Sequence, residues 1–380
     1  MKAIYFKNYI LLLTLALFVI LPSCEEKNGE SIKAPSLTTV TTILDQKTSI
    51  SGGNMGDWIA VHGQNLASTY AISFNDVEVD MEEIYYENEI LYLQVPIKIP
   101  NNVTNKLTIT TKGGEASYSF TVAVPDLELT GMFNEYTRPG DTIKIYGRFI
   151  DLYEIDSENT VIAFGEVQSP VIENGSTYIT ARVPGNAQAN VKVKAINSKF
   201  GAVATCPGYY QDKNNIITTF DDDFPYTGPI NNPNGLWVRI VELEHLKLSG
   251  NCLAFEINPE NCPDGLGWWY LMEHSVPFTQ DMISNPENYE FKFELNMGGP
   301  IRRTEFYIYY YWNSPPNVFG GEHFNVQDFW VWQTVTIPLS QIIEGNSGTV
   351  VSLNFRVQSF APVEPVSMYF DNLRIYKKGD

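Results

Sequence analysis

Cysteine and histidine are scarce in this chain. Cysteine stands only at Cys24, Cys206, Cys252 and Cys262. Histidine stands only at His62, His245, His274 and His323. No spacing among them resembles a zinc site, and the scattered histidines read as structural. Cys252 and Cys262 are close enough in sequence to pair in an oxidising compartment, which would leave Cys206 unpaired. Positive charge is also short: 25 Lys and Arg against 44 Asp and Glu give a net charge of −19. Such a chain does not seek nucleic-acid phosphates, so nucleic acid is excluded as a partner. A neutral ligand suits it. Long apolar runs are missing too. Ile10 to Leu21 is too short for a comfortable membrane span, and no later segment is apolar enough.

What the chain has in quantity is rings and turns. Aromatics make up 13%, with 22 Pro and 27 Gly, a composition that suits a folded, turn-rich protein rather than a disordered one. The length implies two to four domains.

The first residues form a targeting segment. Lys2 and Lys7 give a basic start, the apolar run follows, and it ends in Leu21-Pro22-Ser23-Cys24. This resembles a bacterial lipoprotein signal, residues 1–23, with Cys24 as the lipidated residue. Cys24-Glu25-Glu26-Lys27 places acid directly after the anchor. That resembles the signal sending lipoproteins of Bacteroidetes to the outer face of the outer membrane. Residues 24–34 read as a polar tether.

Beyond Pro35 the pattern is short alternating strands separated by turns. Two segments repeat. Gly56-Asp57 opens a strand that leaves through Gly63-Gln64-Asn65-Leu66, and Gly140-Asp141 opens one that leaves through Gly147-Arg148-Phe149. Each is followed by a strand ending in proline, at Val95-Pro96 and Val183-Pro184. The separation is one domain length rather than a solenoid period, and each copy is long enough for a sandwich. The first copy, 35–124, resembles the immunoglobulin-like TIG/IPT family through Gly56 to Leu66 and Ile72-Ser73-Phe74-Asn75. In the second copy, 125–207, Phe149 stands where Leu66 would follow Asn65. Both read as spacers.

The third domain, 208–380, opens with Asn215 to Asp221 and closes with Met368-Tyr369-Phe370-Asp371-Asn372. These strands, with Trp332 to Leu339, resemble the jelly-roll sandwiches of carbohydrate-binding modules. The expected fold class is therefore all-β: tandem immunoglobulin-like β-sandwiches followed by a C-terminal jelly-roll, carbohydrate-binding-module-like β-sandwich. Six of the seven tryptophans lie beyond residue 230. Signal, spacers and aromatic end together resemble the surface glycan-binding proteins of Bacteroidetes polysaccharide-utilisation systems, most nearly the xyloglucan-binding type. That resemblance implies an outer-membrane, surface-exposed lipoprotein. It implies a polysaccharide ligand, and an outer-membrane importer and a surface glycanase as partners.

Side chains alternate along a strand, so parity separates core from surface. In Val351 to Gln358 the odd positions are apolar, which leaves Asn354, Arg356 and Gln358 on the other face. In Glu305 to Trp312 the even positions look like core, which leaves Tyr307, Tyr309 and Tyr311 outward and Trp312 free at the end. In Phe329 to Ile337 the odd positions, Phe329 and Val331 among them, read as core. Trp330 then faces outward, and Trp332 packs inside or faces outward with equal weight. Trp268 and Trp269 are adjacent and point oppositely. The expected binding set is Trp268, Trp269, Tyr309, Tyr311, Trp312, Trp330, Asn354, Arg356 and Gln358: rings for sugar faces, amides and guanidinium for hydroxyls.

Two other functions compete, a jelly-roll glycoside hydrolase or lyase and a protein-binding adhesin. A glycosidase needs two carboxylates across the bond. Glu290, Glu294, Glu305 and Glu322 mark no pair, and Glu290 and Glu294 read as solvated charge on an outward face. No cofactor or metal is expected. Calcium at Asp221, Asp222, Asp223 and Asp371 is the weaker alternative to plain turn acids.

Overall fold

The computed structural model describes residues 33–87, 89–228, 237–243, 250–309, 317–318, 324, 326, 328–343 and 350–379. The chain divides into two compact units, Met1–Val124 and Pro125–Asp380.

The first unit is a sandwich. One sheet orders the strands Ser36–Thr42, Trp58–Gln64, Ile90–Gln94 and Tyr85–Glu87, and the other orders Val77–Glu78, Thr69–Phe74, Lys106–Thr111 and Gly114–Ser119. Alternating apolar residues fill the space between them, among them Val40, Ile59, Val61, Phe74, Leu93 and Phe120.

The second unit opens with a seven-stranded sheet that orders Glu128–Met132, Thr142–Arg148, Tyr178–Arg182, Val167–Asn174, Thr160–Phe164, Val191–Asn197 and Ala202–Tyr210, and the repeat can be followed there atom by atom. Gly56 and Gly140 have φ of 83° and 91°, the left-handed region that glycine supplies without strain. The Gly56 N–H donates to Val95 O and the Gly140 N–H to Val183 O, both at 2.8 Å. A side chain at Gly63 would meet the carbonyl oxygen of Ser36, and one at Gly147 that of Glu128, so both strands can pack closely only with glycine there. The exit of the second strand differs by one residue from the sequence reading. Phe149, at φ 63°, takes the place of Asn65, at φ 61°, and Ile150 fills the core position of Leu66. The exposed Phe149 carries the turn and the apolar anchor follows it, as in the first copy.

The C-terminal sandwich joins the same unit. One sheet orders Val238–Glu242, Asn251–Ile257, Val366–Lys377, Tyr289–Met297 and Gln333–Pro338, with Ile216–Thr218 also paired to Val366–Lys377. The facing sheet orders Leu266–Pro277, Val350–Ser359, Thr304–Tyr309 and Asn317–Val318. Rings join the two: Phe306 stacks on Phe370 with centroids 5.2 Å apart, and Phe355 meets Phe370 at 5.5 Å. Trp237 packs against this core, and its Nε1 donates to Asn261 O at 2.9 Å.

Several expectations change here. Cys206, Cys252 and Cys262 are all free and buried. Cys262 lies in the sandwich core, in the turn after the strand Asn251–Ile257, whereas Cys252 on that strand packs with Ala254, Trp332 and Tyr369 in a separate cluster. The strand expected from Phe329 begins only at Gln333. Phe329, Trp330 and Val331 form an exposed turn with Trp330 at φ 60°, so parity cannot be carried back through it. Phe329 and Val331 are not core.

Glu294 does not lie on a solvated face, and Glu290 is half-buried. The outer side of the 289–297 strand is covered by the second immunoglobulin-like copy. Glu294 is 0% exposed and accepts from Arg374 Nη1 at 2.8 Å and from Thr334 Oγ1 at 2.8 Å. Arg374 Nη2 reaches across to Glu135 at 2.6 Å, and Lys292 Nζ to the same carboxylate at 2.8 Å. Backbone links run beside them, with Thr334 N donating to Phe133 O at 2.8 Å. A patterned strand with polar alternate positions reads the same whether water or a second domain lies above it.

Candidate functional site

The strand Val350–Ser359 runs between Leu266–Pro277 and Thr304–Tyr309 in the four-stranded sheet. Leu353, Phe355 and Val357 are buried in the core. Arg356 and Gln358 alternate with them and are half-buried on the opposite face. Register places Arg356 opposite Tyr307 on one side and Tyr270 on the other. It places Gln358 opposite Glu305, and Asn354 opposite Tyr309 and Glu273. One sheet face thus collects a guanidinium and an amide between tyrosine-bearing strands.

The details sharpen that face. Phe306 and Ile308 belong to the core, as alternation requires, and Tyr307 does not. Tyr307 is nevertheless only 4% exposed, so the expectation of an outward ring is corrected to a covered one. Its hydroxyl donates to the Glu305 carboxylate two residues away on the same side. Burial draws the Arg356 guanidinium below its ordinary value, but arginine stays charged near neutrality. The group is a fork of N–H donors held at a half-buried sheet position, suited to ligand oxygens.

The other expected residues fall as follows. Trp268 and Trp269 lie on Leu266–Pro277, where a register shift separates Leu266 from Trp269 and Trp269 pairs with Val357. Tyr309 ends its strand. Tyr311, Trp312 and Cys24 lie outside the described residues. Trp330 is 54% exposed and stands apart from Arg356. It precedes the edge strand of the other sheet and rests over Gly298 beside Tyr369. Trp332 is 4% exposed and packs with Cys252, Ala254 and Tyr369.

Local hydrogen bonds engage the acids that calcium would use. Asp221 Oδ1 accepts from Asn251 N at 2.6 Å, Asp223 from Thr219 Oγ1 at 3.0 Å, and Asp371 from Asn372 N at 2.7 Å. Burial pushes the Asp371 carboxyl well above its usual range. Among the described residues no group of three or more His, Cys, Asp or Glu is arranged to hold a metal. Glu135 and Glu294, which share Arg374, are buried in the joint and engaged by Lys292 and Arg374. Sequence reasoning missed this joint, as well as Tyr270 and Tyr307 as the register neighbours of Arg356. Only the pairing register shows them.

Comparison with known proteins bears on this geometry. Residues 210–377 match the family model described as the surface glycan-binding protein B xyloglucan binding domain. An IPT/TIG domain-containing protein of Bacteroides ovatus is 25% identical over 167 residues, covering 41% of this chain and 34% of the relative. The chain therefore spans about a third of that curated relative. Among solved structures, the surface glycan-binding protein B of Prevotella bryantii superposes with a TM-score of 0.57 at 18% identity, over 90% of this chain and 99% of that one. A surface glycan-binding protein B from a complex xyloglucan utilization locus in Bacteroides uniformis gives 0.50 at 15%, again over 90% and 99%. The all-β succession of sandwiches is thus a known architecture, and the family match falls on the sandwich that carries Arg356 and Gln358.

Proposed function

We propose that this chain is a non-catalytic, surface-anchored binder of a neutral β-linked plant polysaccharide of the xyloglucan type. The carrying observation is where the matched domain keeps its polar and aromatic groups. Its six-stranded sheet is committed to the joint with the second immunoglobulin-like copy, through Glu135, Lys292, Glu294 and Arg374. The four-stranded sheet presents Arg356 and Gln358 on a face that the joint does not use.

In this reading Arg356, Gln358 and Asn354 exchange hydrogen bonds with sugar hydroxyls. One of Trp268 and Trp269, with Tyr309, Tyr311 and Trp312, supplies the rings. Aromatic stacking contributes about 1–3 kcal/mol per nucleic-acid base, and sugar stacking is of similar or smaller size. Two or three rings then correspond to roughly micromolar to millimolar binding. The immunoglobulin-like copies space the domain from a lipid on Cys24 at the outer membrane, beside an importer and a surface glycanase.

No catalysis enters this reading: Glu135 and Glu294 are buried in the joint and engaged by Lys292 and Arg374, and Glu305 at the Arg356 face accepts from the Tyr307 hydroxyl. The test is affinity electrophoresis of residues 25–380 in gels with and without xyloglucan, together with a reducing-sugar assay of the same polymer. Retardation without sugar release is expected. Sugar release would make the protein an enzyme, and unretarded migration would remove the polysaccharide.

A further inference from the structure

A second surface of the C-terminal unit has the chemistry of a ligand site. A cleft of about 560 Å³ lies between the turn Phe329–Val331 and the second immunoglobulin-like copy. That volume is within the ordinary range of ligand pockets, about 300–1,000 Å³.

One wall is Trp330, more than half exposed at φ 60°. A bulky residue in that backbone region is a genuine outlier, and such outliers cluster at functional positions. Its N–H donates to Met297 O at 2.7 Å, and its indole rests where a side chain at 298 would stand. The ring is therefore fixed in place while much of it remains in solvent.

The other wall is cationic. Arg138, Lys144 and Arg182 line it, with Asp141 as the one acid. Asp141 is taken by Arg138 at 3.3 Å. Lys144 and Arg182 come from paired strands, where Lys144 is opposite Thr180 and Arg182 opposite Thr142. Among the described residues neither has a carboxylate partner. Arg182 donates to Gly140 O at 2.6 Å, and Lys144 lies over the Tyr178 ring at 4.5 Å. In a chain with 44 acids and 25 bases, two cations without acid partners in one cleft are a local reversal of charge. The third feature is Trp332, which lines the same cleft at 4% exposure and adds an apolar wall rather than a reachable donor.

We propose that this cleft is a separate subsite for an acidic sugar residue, a hexuronate borne on a glycan chain. Trp330 covers the apolar face of the sugar ring. Lys144 and Arg182 take the carboxylate. A neutral sugar would use the ring and leave the cations with hydroxyls alone. The net negative charge of the chain does not forbid an anion here, because charges beyond a Debye length of about 8 Å are largely screened at physiological ionic strength. The inference rests on the chain being a glycan binder, but on a different face from Arg356.

The test is calorimetry of residues 25–380 with trigalacturonate and, separately, with a neutral xyloglucan oligosaccharide. The variants are Trp330→Ala, Trp330→Phe and the double change Lys144→Gln with Arg182→Gln. For wild type, trigalacturonate binding that weakens as salt is raised is expected. Trp330→Ala and the double variant should each weaken it roughly tenfold or more, while Trp330→Phe keeps most of it. Melting temperatures of all three should stay near wild type, because the ring and both cations are outside the core. Trigalacturonate binding that is absent in wild type, insensitive to salt, or unchanged in Trp330→Ala or the double variant would overturn the subsite. The neutral oligosaccharide reads the other face, so its failure to bind would strike that reading while trigalacturonate binding still decides this one.

Discussion

Replacing Glu135 with Gln should loosen the C-terminal unit by far more than a surface charge change would. Glu135 belongs to the second immunoglobulin-like copy, and both cations it holds belong to the C-terminal sandwich. Its side chain is 5% exposed, that of Lys292 6% and that of Arg374 0%. With Glu294, and with the half-buried Glu290 3.7 Å from Lys292 Nζ, the group holds three acids and two bases. Gln keeps the shape of Glu135 but removes its charge, so Arg374 is left with Glu294 alone and Lys292 with only the longer contact to Glu290 at 3.7 Å, both cations being almost out of contact with water. Breaking a buried pair by removing one partner costs about 3–5 kcal/mol. Counting the two lost charge-assisted bonds at about 1.5–3 kcal/mol each gives a similar range.

For a unit of this size one kcal/mol corresponds to roughly 2–4 °C. The transition of the second unit should therefore fall by about 6–20 °C in scanning calorimetry, provided that it is two-state. The control is Lys199→Ala. That residue pairs with Glu154 at 2.5 Å, but the two side chains are 41% and 46% exposed, and exposed pairs contribute about 0–1 kcal/mol. A Glu135→Gln transition no lower than that of Lys199→Ala would refute the argument that the joint depends on this carboxylate.

Two further outcomes are expected. Burial pushes the Glu294 carboxyl up to about 7, against the pull of Arg374, whereas Lys292 and Arg374 override burial at Glu135 and hold it below its ordinary value. A raised folded pKa contributes stability that is full below the unfolded value of 4.5 and is lost as pH rises through about 7. Denaturant midpoints of the second unit should show this loss between pH 5 and 7.5, and Glu294→Gln should flatten it. The depressed Glu135 acts oppositely, stabilising above the ordinary carboxylate range and failing only in acid. Separately, Cys24→Ala should move the protein from the outer-membrane pellet to the soluble fraction, because an acyl chain provides the anchoring free energy; continued sedimentation would count against the lipoprotein reading.

The all-β architecture was legible because it is written in local chemistry. Gly56 and Gly140 recur before a strand because the turn needs a left-handed residue, and Gly63 and Gly147 recur because a neighbouring carbonyl occupies the side-chain space. Alternation found Leu353, Phe355 and Val357, and Phe306 and Ile308, without any structure. It failed at Phe329 and Val331, because a left-handed residue at Trp330 breaks the period that parity assumes. It was mute about Glu294 and Lys292, because alternation reports only that a face differs from the core, not what covers it. Cross-strand neighbours such as Arg356 and Tyr307 depend on register, which a single sequence does not carry.

The charged joint bears directly on how an extended polymer meets this chain. Two domains on a loose linker would present a binding sheet in every orientation, and each binding event would have to offset that freedom. Here the second immunoglobulin-like copy is fixed on one side of the sandwich by charges and by backbone bonds such as Thr334 N to Phe133 O. Buried ion pairs often add little net stability compared with apolar packing. Their geometry is strict, though, since Glu135 must meet Lys292 and Arg374 together at 2.8 and 2.6 Å. An apolar joint of the same area would tolerate sliding. The orientation of the Arg356 face relative to the second copy is therefore set by charge geometry, and whatever holds that copy holds the proposed binding face as well.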